Sequence, residues 1–251
     1  MPTAAPHRTH AEPPKSRLEE ISTRWNQVGD PLQFVMRYGP AIEKYLVALI
    51  GNPNDAADVS QQFLTTMMQH RFANASESEG RFRQYLKTAV RNAARMYFRK
   101  QKSAKDVAVA PDWLADLPQR EPQAEAKYLD GWRRCSLDRA WAALHRQQQA
   151  TPNSLVFAVM QLNREFGEQE DSAALAQRLS ASIGREVSAE AFRKQLSRAR
   201  RSFAELLVRE VAQTLQDPTP EDVEAELAET GLMRSIRSFL PADWRDWLCS
   251  K

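Results

Sequence analysis

Apolar residues recur along this chain at helical intervals and nowhere alternate in the strict two-residue rhythm of a strand. Residues 1–20 have no apolar core and read as a disordered arm. Helical patterning begins near "ISTRWNQV", and a helix is predicted over 31–50, closed by "GNPN". Pro53 ends what precedes it, so Asn54 is expected to cap a helix starting at Asp55. That helix, "DAADVSQQFLTTMMQHRF", places Ala56, Val59, Phe63 and Met67 on one face. "ANASESEG" at 73–80 is a polar loop, and a long helix follows over about 80–102. Its apolar face is expected to hold Phe82, Leu86, Ala89, Ala93 and Met96.

The stretch "VAPDWLADLPQREPQ" has three prolines and no clear period, so it reads as a linker. Helices resume near 126–149 and over 153–167. "DSAALAQRLSASI" forms the next, capped by Asp171 or Ser172. Gly184 fits the residue just past its end, and Ser188 fits the cap of a further helix running to about Leu215. Phe192, Leu196, Ala199, Phe203 and Leu206 make its buried stripe. The fold class expected is all-α: two small helical domains, 21–102 and 136–212, joined by a flexible linker over 103–135. A C-terminal extension covers 213–251.

Composition adds little. Apolar content of 42% and charged content of 27% suit a globular chain, and scarce Gly with abundant Ala, Leu, Arg, Gln and Glu favours helix. Cys135 and Cys249 lie outside any paired spacing, which argues against a disulfide framework or a zinc site and fits a reducing cytoplasm. The longest apolar run, "YLVALI", is too short for a bilayer, and no signal peptide is visible. The histidines are scattered. There is no metal spacing, phosphate-cradling glycine loop or nucleophile elbow, so neither an enzyme nor a cofactor is expected.

Charge distribution changes the picture more than the net of +3 does. Arg83, Lys87, Arg91, Arg95 and Arg99 lie four apart, with Arg81, Lys100, Lys102 and Lys105 extending the set and no acid between 81 and 105. Four residues rise about 6 Å, so the row is a slanted cationic rail. Tyr85 and Tyr97 lie near its margins, and cations interleaved with aromatics suit single-stranded DNA. A second cationic helix carries Arg193, Lys194, Arg198, Arg200 and Arg201 opposite its apolar stripe. With the preceding helix and a short turn it makes a helix-turn-helix pattern. Ser188, Glu190, Arg193, Lys194 and Ser197 lie at its leading end, where Glu190, Arg193, Lys194 and Ser197 would face base edges. Arg198, Arg200 and Arg201 would meet phosphate. Solvated faces on ordinary bundle helices are the plainer alternative. One-signed charge at helical spacing weighs against it.

These segments resemble bacterial sigma-70 family sigma factors, in particular the small extracytoplasmic-function class. "NPNDAADVSQQFLTTMM" is similar to the family's region 2 pattern Asp-Ala-x-Asp-Val-x-Gln-Glu-x-Phe, with Gln62 where Glu is usual. "GRFRQYLKTAVRNAARMYFRKQKS" resembles the segment that follows it, with Tyr85 replacing Trp and Met96 replacing Asp. "SAALAQRLSASIGREVSAEAFRKQLSRARRSFAELL" resembles region 4, including Leu-x-Arg-Ala-Arg at 196–200. The resemblance implies a cytoplasmic, non-membrane protein that binds core RNA polymerase and promoter DNA and promotes transcription initiation. It implies polymerase docking by Asp55, Asp58, Gln61, Gln62 and Phe63. It implies that Arg81, Arg83, Tyr85, Lys87, Arg91, Asn92, Arg95, Tyr97 and Arg99 hold the promoter element nearer the start site. Residues 188–201 would read the upstream element as duplex. A regulator that binds duplex DNA through its helix-turn-helix, without polymerase, is the alternative.

The extension lies outside the minimal family pattern. Its acids (Asp217, Glu221, Asp222, Glu224, Glu226 and Glu229) read as a solvated tail; folding back onto a basic face is the alternative. Trp244, Trp247 and Leu248 either pack on the second module or meet a regulator such as an anti-sigma factor.

Overall fold

The computed structural model describes residues 31–70, 82–104, 113–215 and 218–249. The expected arm at 1–20, the loop at 73–80, Arg81 and Asp217 lie outside them. The regular structure of the described residues is all helix, with no strand among them. The helices are α1 (Pro31–Ile50), α2 (Pro53–His70), α3 (Phe82–Ala104), α4 (Trp113–Ala150) and α5 (Val156–Phe166). Then come α6 (Ser172–Ile183), α7 (Ala189–Ala212), α8 (Pro220–Glu229), α9 (Met233–Ile236) and α10 (Trp244–Cys249).

The first core draws on α1 to α4. Phe34, Tyr38, Ala41, Ile42, Tyr45, Leu46 and Leu49 of α1 are buried at intervals of three and four, the rhythm of one helix face. Pro40 lies in the interior of α1, but on its exposed side, where water can reach the carbonyl that a proline leaves unbonded. From α2 come Ala56, Val59 and Phe63, as their spacing predicts. Asn52, not Asn54, caps this helix: its Oδ1 accepts from the Asn54 N–H at 2.9 Å. Pro53 then takes the first helical position, where a missing N–H costs nothing. The buried stripe of α3 is Phe82, Leu86, Val90, Ala94 and Phe98; Ala89 and Ala93 are only partly covered, and Met96 is 69% exposed. A strict spacing of four slants around the helix, and the other helices follow that slant.

The expected linker is the largest correction. From Trp113 it is part of α4, a 38-residue helix that runs through Pro118 and Pro122. Packing outweighs the proline cost here: Ala124, Tyr128 and Trp132, four apart, enter the first core. Tyr38 stacks on Trp132 at 4.9 Å between ring centres. Burial pushes the Tyr38 hydroxyl up to about 12. Arg120 donates to the carbonyls of Leu49 and Ile50 at 3.4 and 3.3 Å, satisfying the open end of α1. Gly131 lets α4 approach α1 closely, since a Cβ there would lie 2.9 Å from the Ala41 Cα. Gly131→Ala should therefore destabilise by about 1–3 kcal/mol despite alanine's better helix propensity. A thermal melt checks this; an unchanged or raised Tm would mean that the two helices part freely.

Two further cores lie beyond α4. Val159, Leu175, Ala176, Leu179, Phe192 and Leu196 join α5, α6 and the first half of α7. The start of α5 has no side-chain cap of its own; Gln148 of α4 accepts from the N–H groups of Phe157 and Ala158 at 2.9 and 3.0 Å. Asp171 caps α6 and Ser188 caps α7, with Gly184 in the left-handed region (φ 67°) between them. The remaining core contains Ala140, Ala204, Leu207, Val208 and Val211 with Val223, Leu227, Leu232, Met233, Ile236 and Trp244. The buried stripe of α7 thus shifts along its length, and Phe203 and Leu206 are only partly covered.

The extension is therefore a packed element rather than a solvated tail. A capping box starts α8: the Thr219 hydroxyl accepts from the Asp222 N–H, and the Asp222 carboxylate accepts from the Thr219 N–H. Glu224 pairs with Arg237 and Arg245, and Trp244 packs into the core beside α7.

Candidate nucleic-acid interface

The two cationic helices have different surroundings. On α3, the four-apart row meets carboxylates that no local reading of 81–105 contains. Arg83 is 5% exposed and Glu226 of α8 is 1% exposed. Arg83 Nε donates to Glu226 Oε1 at 2.7 Å and Nη2 to Oε2 at 3.2 Å, a two-pronged fork. Glu229 adds a contact at 2.8 Å, and the Tyr128 hydroxyl donates to the Arg83 carbonyl at 2.9 Å. Burial works to lower the Arg83 pKa, but the hydrogen bonds and charges of Glu226 and Glu229 outweigh it and hold the group above its ordinary value. The carboxylates also face the positive end of α3. Arg83 is thus a buried clamp between α3 and α8, which corrects its expected place on an open rail.

The next three cations are held more loosely. Lys87 lies 3.0 Å from Glu125, Arg91 3.8 Å from Glu121, and Arg95 3.6 Å from Glu121. All are partly exposed, and pairs of this kind contribute about 0–1 kcal/mol each. Glu121 and Glu125 belong to α4 and are themselves four apart, so a carboxylate row runs beside the cation row. That matching interval is the signal by which sequence alone could have paired them. Beyond Arg95 the helix is open. Asn92, Arg99 and Lys100 are exposed, and among the described residues Arg99 and Lys100 meet no carboxylate. Tyr85 is half-buried, with its hydroxyl pushed up by burial. Tyr97 is half-buried, accepts from Gln101 at 3.2 Å and is also hydrogen-bonded with Asp55.

On α2, Asp58, Gln61 and Gln62 point to solvent. Phe63 does not: at 7% exposure it belongs to the first core, so its expected docking role gives way to packing. Asp55 is partly covered beside Tyr97.

On α7 the cations are largely unpaired by tertiary contacts. Arg193 and Arg198 are exposed. Lys194 meets Glu190, one turn away, at 2.7 Å with both about 70% exposed. Arg201 meets Glu205 at 3.0 Å within the same helix. Ser188 is exposed, but its hydroxyl accepts from the Ala191 N–H as the cap. Ser197 is exposed. Arg200 is turned inward, 3.4 Å from Asn163 Oδ1 and over the Phe239 ring of the extension at 5.3 Å. A second buried linkage binds α7 to α1, where Glu210 receives both Arg37 and, at 2.5 Å, Arg139. Sequence reading missed Glu210, Glu121 and Glu125 and read Glu226 as solvated, with folding back onto a basic face as the alternative, because each partner lies far away along the chain.

Among the described residues no cluster of His, Cys, Asp or Glu suits a metal, and no helix is long and apolar enough to cross a membrane. Compared with known proteins, residues 34–104 match the family model of sigma-70 region 2. No curated protein and no solved structure gave a match to the chain. The matched stretch is α1 to α3, the three helices that present the Asp58–Gln62 face and the cationic row. Factors of this family are non-enzymatic and act in transcription initiation by binding core RNA polymerase and promoter DNA. Residues 34–104 thus match sigma-70 region 2, and that match supports reading the chain as a sigma-70 family sigma factor.

Proposed function

We propose that this protein is a sigma factor of the extracytoplasmic-function type, extended at its C terminus, that brings core RNA polymerase to promoter DNA and helps open it. The observation that carries the reading is the region 2 match on helices whose outer faces remain accessible. Asp58, Gln61 and Gln62 of α2 form the polymerase-docking face. Asn92 and Arg99 of α3, with Lys87, Arg91 and Arg95 once their carboxylates are displaced, hold the element nearer the start site. In the second module, α6, the turn at 184–188 and α7 act as region 4, a helix-turn-helix with exposed Arg193, Lys194 and Arg198 on its second helix. Arg193 and Lys194 face base edges of the upstream element, and Arg198 and Arg201 meet phosphate.

Co-purification with bacterial core polymerase at moderate salt tests the reading. A stable complex is expected; a chain that binds duplex DNA without joining polymerase is instead a helix-turn-helix regulator. Within the complex, Arg91→Glu with Arg95→Glu should abolish duplex opening, read as lost permanganate reactivity of thymines near the start site. Opening at the normal level would remove α3 from that role.

A further inference from the structure

The acids facing the α3 row come from two places outside residues 34–104, the early turns of α4 and the extension helix α8. Their contacts grade along the row. At one end Arg83 is buried in the Glu226–Glu229 cluster. In the middle Lys87, Arg91 and Arg95 lie 3.0–3.8 Å from Glu125 and Glu121, partly exposed. At the far end Arg99 and Lys100 stand exposed.

We propose that the chain masks its own cationic row: Glu121 and Glu125 of α4 occupy the positions that strand phosphates take, and single-stranded DNA must displace them. The proposal rests on the reading of α3 as a nucleic-acid face. A phosphate and a carboxylate compete for the same guanidinium or ammonium, and a loose, solvent-washed pair yields readily. Entry starts at Arg99 and Lys100, where no carboxylate among the described residues competes. It proceeds as Glu121 leaves Arg95 and Arg91, then as Glu125 leaves Lys87. It stops at Arg83, whose forked and buried pair does not open by side-chain rotation alone. Release of Glu121 and Glu125 is a side-chain movement: both flank the stripe of Ala124, Tyr128 and Trp132 that anchors α4 in the core, and both keep contact with water. The device keeps the free chain weak for nucleic acid and strong once a partner presents strand at high local concentration.

Fluorescence anisotropy of the full chain with a labelled single-stranded oligodeoxythymidine, at low salt, tests this. Glu121→Gln with Glu125→Gln should bind roughly three- to ten-fold tighter than the parent. Adding Arg91→Gln with Arg95→Gln should erase that gain. Two exposed acids elsewhere, Glu43→Gln with Glu168→Gln, supply the control for bulk charge; an equal gain there overturns the proposal. If the Glu121/Glu125 pair of changes gives no gain while Arg91→Gln/Arg95→Gln weakens the parent, the row binds DNA unmasked, and masking fails alone. If the arginine changes have no effect in either background, the nucleic-acid role of α3 fails with it.

Discussion

Replacing Glu226 by alanine should cost the folded chain about 3 kcal/mol, near the low end of the range for stripping one partner from a buried ion pair. The reason is what remains. Arg83 stays 5% exposed with its charge held, and it loses both prongs of its fork. Glu229 still lies 2.8 Å from Nη2 but is itself 42% exposed, so it recovers part of the loss. Removing both charges together should behave differently. Arg83→Met with Glu226→Leu leaves no ion in the core, and such replacements are often neutral or stabilising. The expected pattern in denaturant titrations is therefore a large loss for either single change and recovery of most of it in the double. Two small, additive losses would mean that the pair is solvated and that α8 is not clamped to α3.

Reversing Arg193 and Lys194 to glutamate should lower affinity for the cognate duplex by roughly a hundred-fold or more, since each good base contact contributes about 1–3 kcal/mol. Repulsion from the phosphates adds to the lost contacts. Neither residue is needed for folding. Both are exposed at the start of α7, while Phe192, Leu196 and Ala199 on the other side hold the helix to its core. Helical content should be unchanged, and so should binding to core polymerase. Electrophoretic mobility shifts with holoenzyme and a promoter fragment read the first effect, and co-purification reads the second. Loss of polymerase binding in this variant would contradict the division of labour between the modules.

Where the sequence was legible, local chemistry and tertiary packing agreed. Asp171, Gly184 and Ser188 mark the ends of α6 and α7 because caps and a left-handed glycine act within one turn. Ala56, Val59 and Phe63 point inward because only one face of α2 is apolar. Where it was illegible, the deciding partner lay elsewhere in the chain. Pro118 and Pro122 suggested a linker, and nothing local showed that Ala124, Tyr128 and Trp132 would anchor a helix against α1. The six acids of the extension suggested a tail, although Val223 and Leu227 are four apart and Glu226 lies between them. A carboxylate is read as solvated until its counter-ion is known, and Arg83 is more than a hundred residues away. Phe63 shows the converse. The family pattern assigns it to docking, but in this chain its ring fills the core.

The candidate site was half legible. Sequence found both cationic faces, because one-signed charge opposite an apolar stripe is a local pattern. It did not reveal that α7 leaves Arg193, Lys194 and Arg198 open while α3 is graded from a buried clamp to a free end. That gradient follows from the approach of α4 and α8, two elements that the linker-and-tail reading had left unpacked.

On the proposed function, this chain carries polymerase to promoters. Genomic DNA fragments retained by the full chain together with bacterial core polymerase, footprinted and sequenced, test it most directly. Fragments that share a two-part motif are expected, protected only when chain and polymerase are both present and melted beside the nearer part. Retention of the same fragments by the chain alone, with polymerase adding no protection or opening, would contradict it.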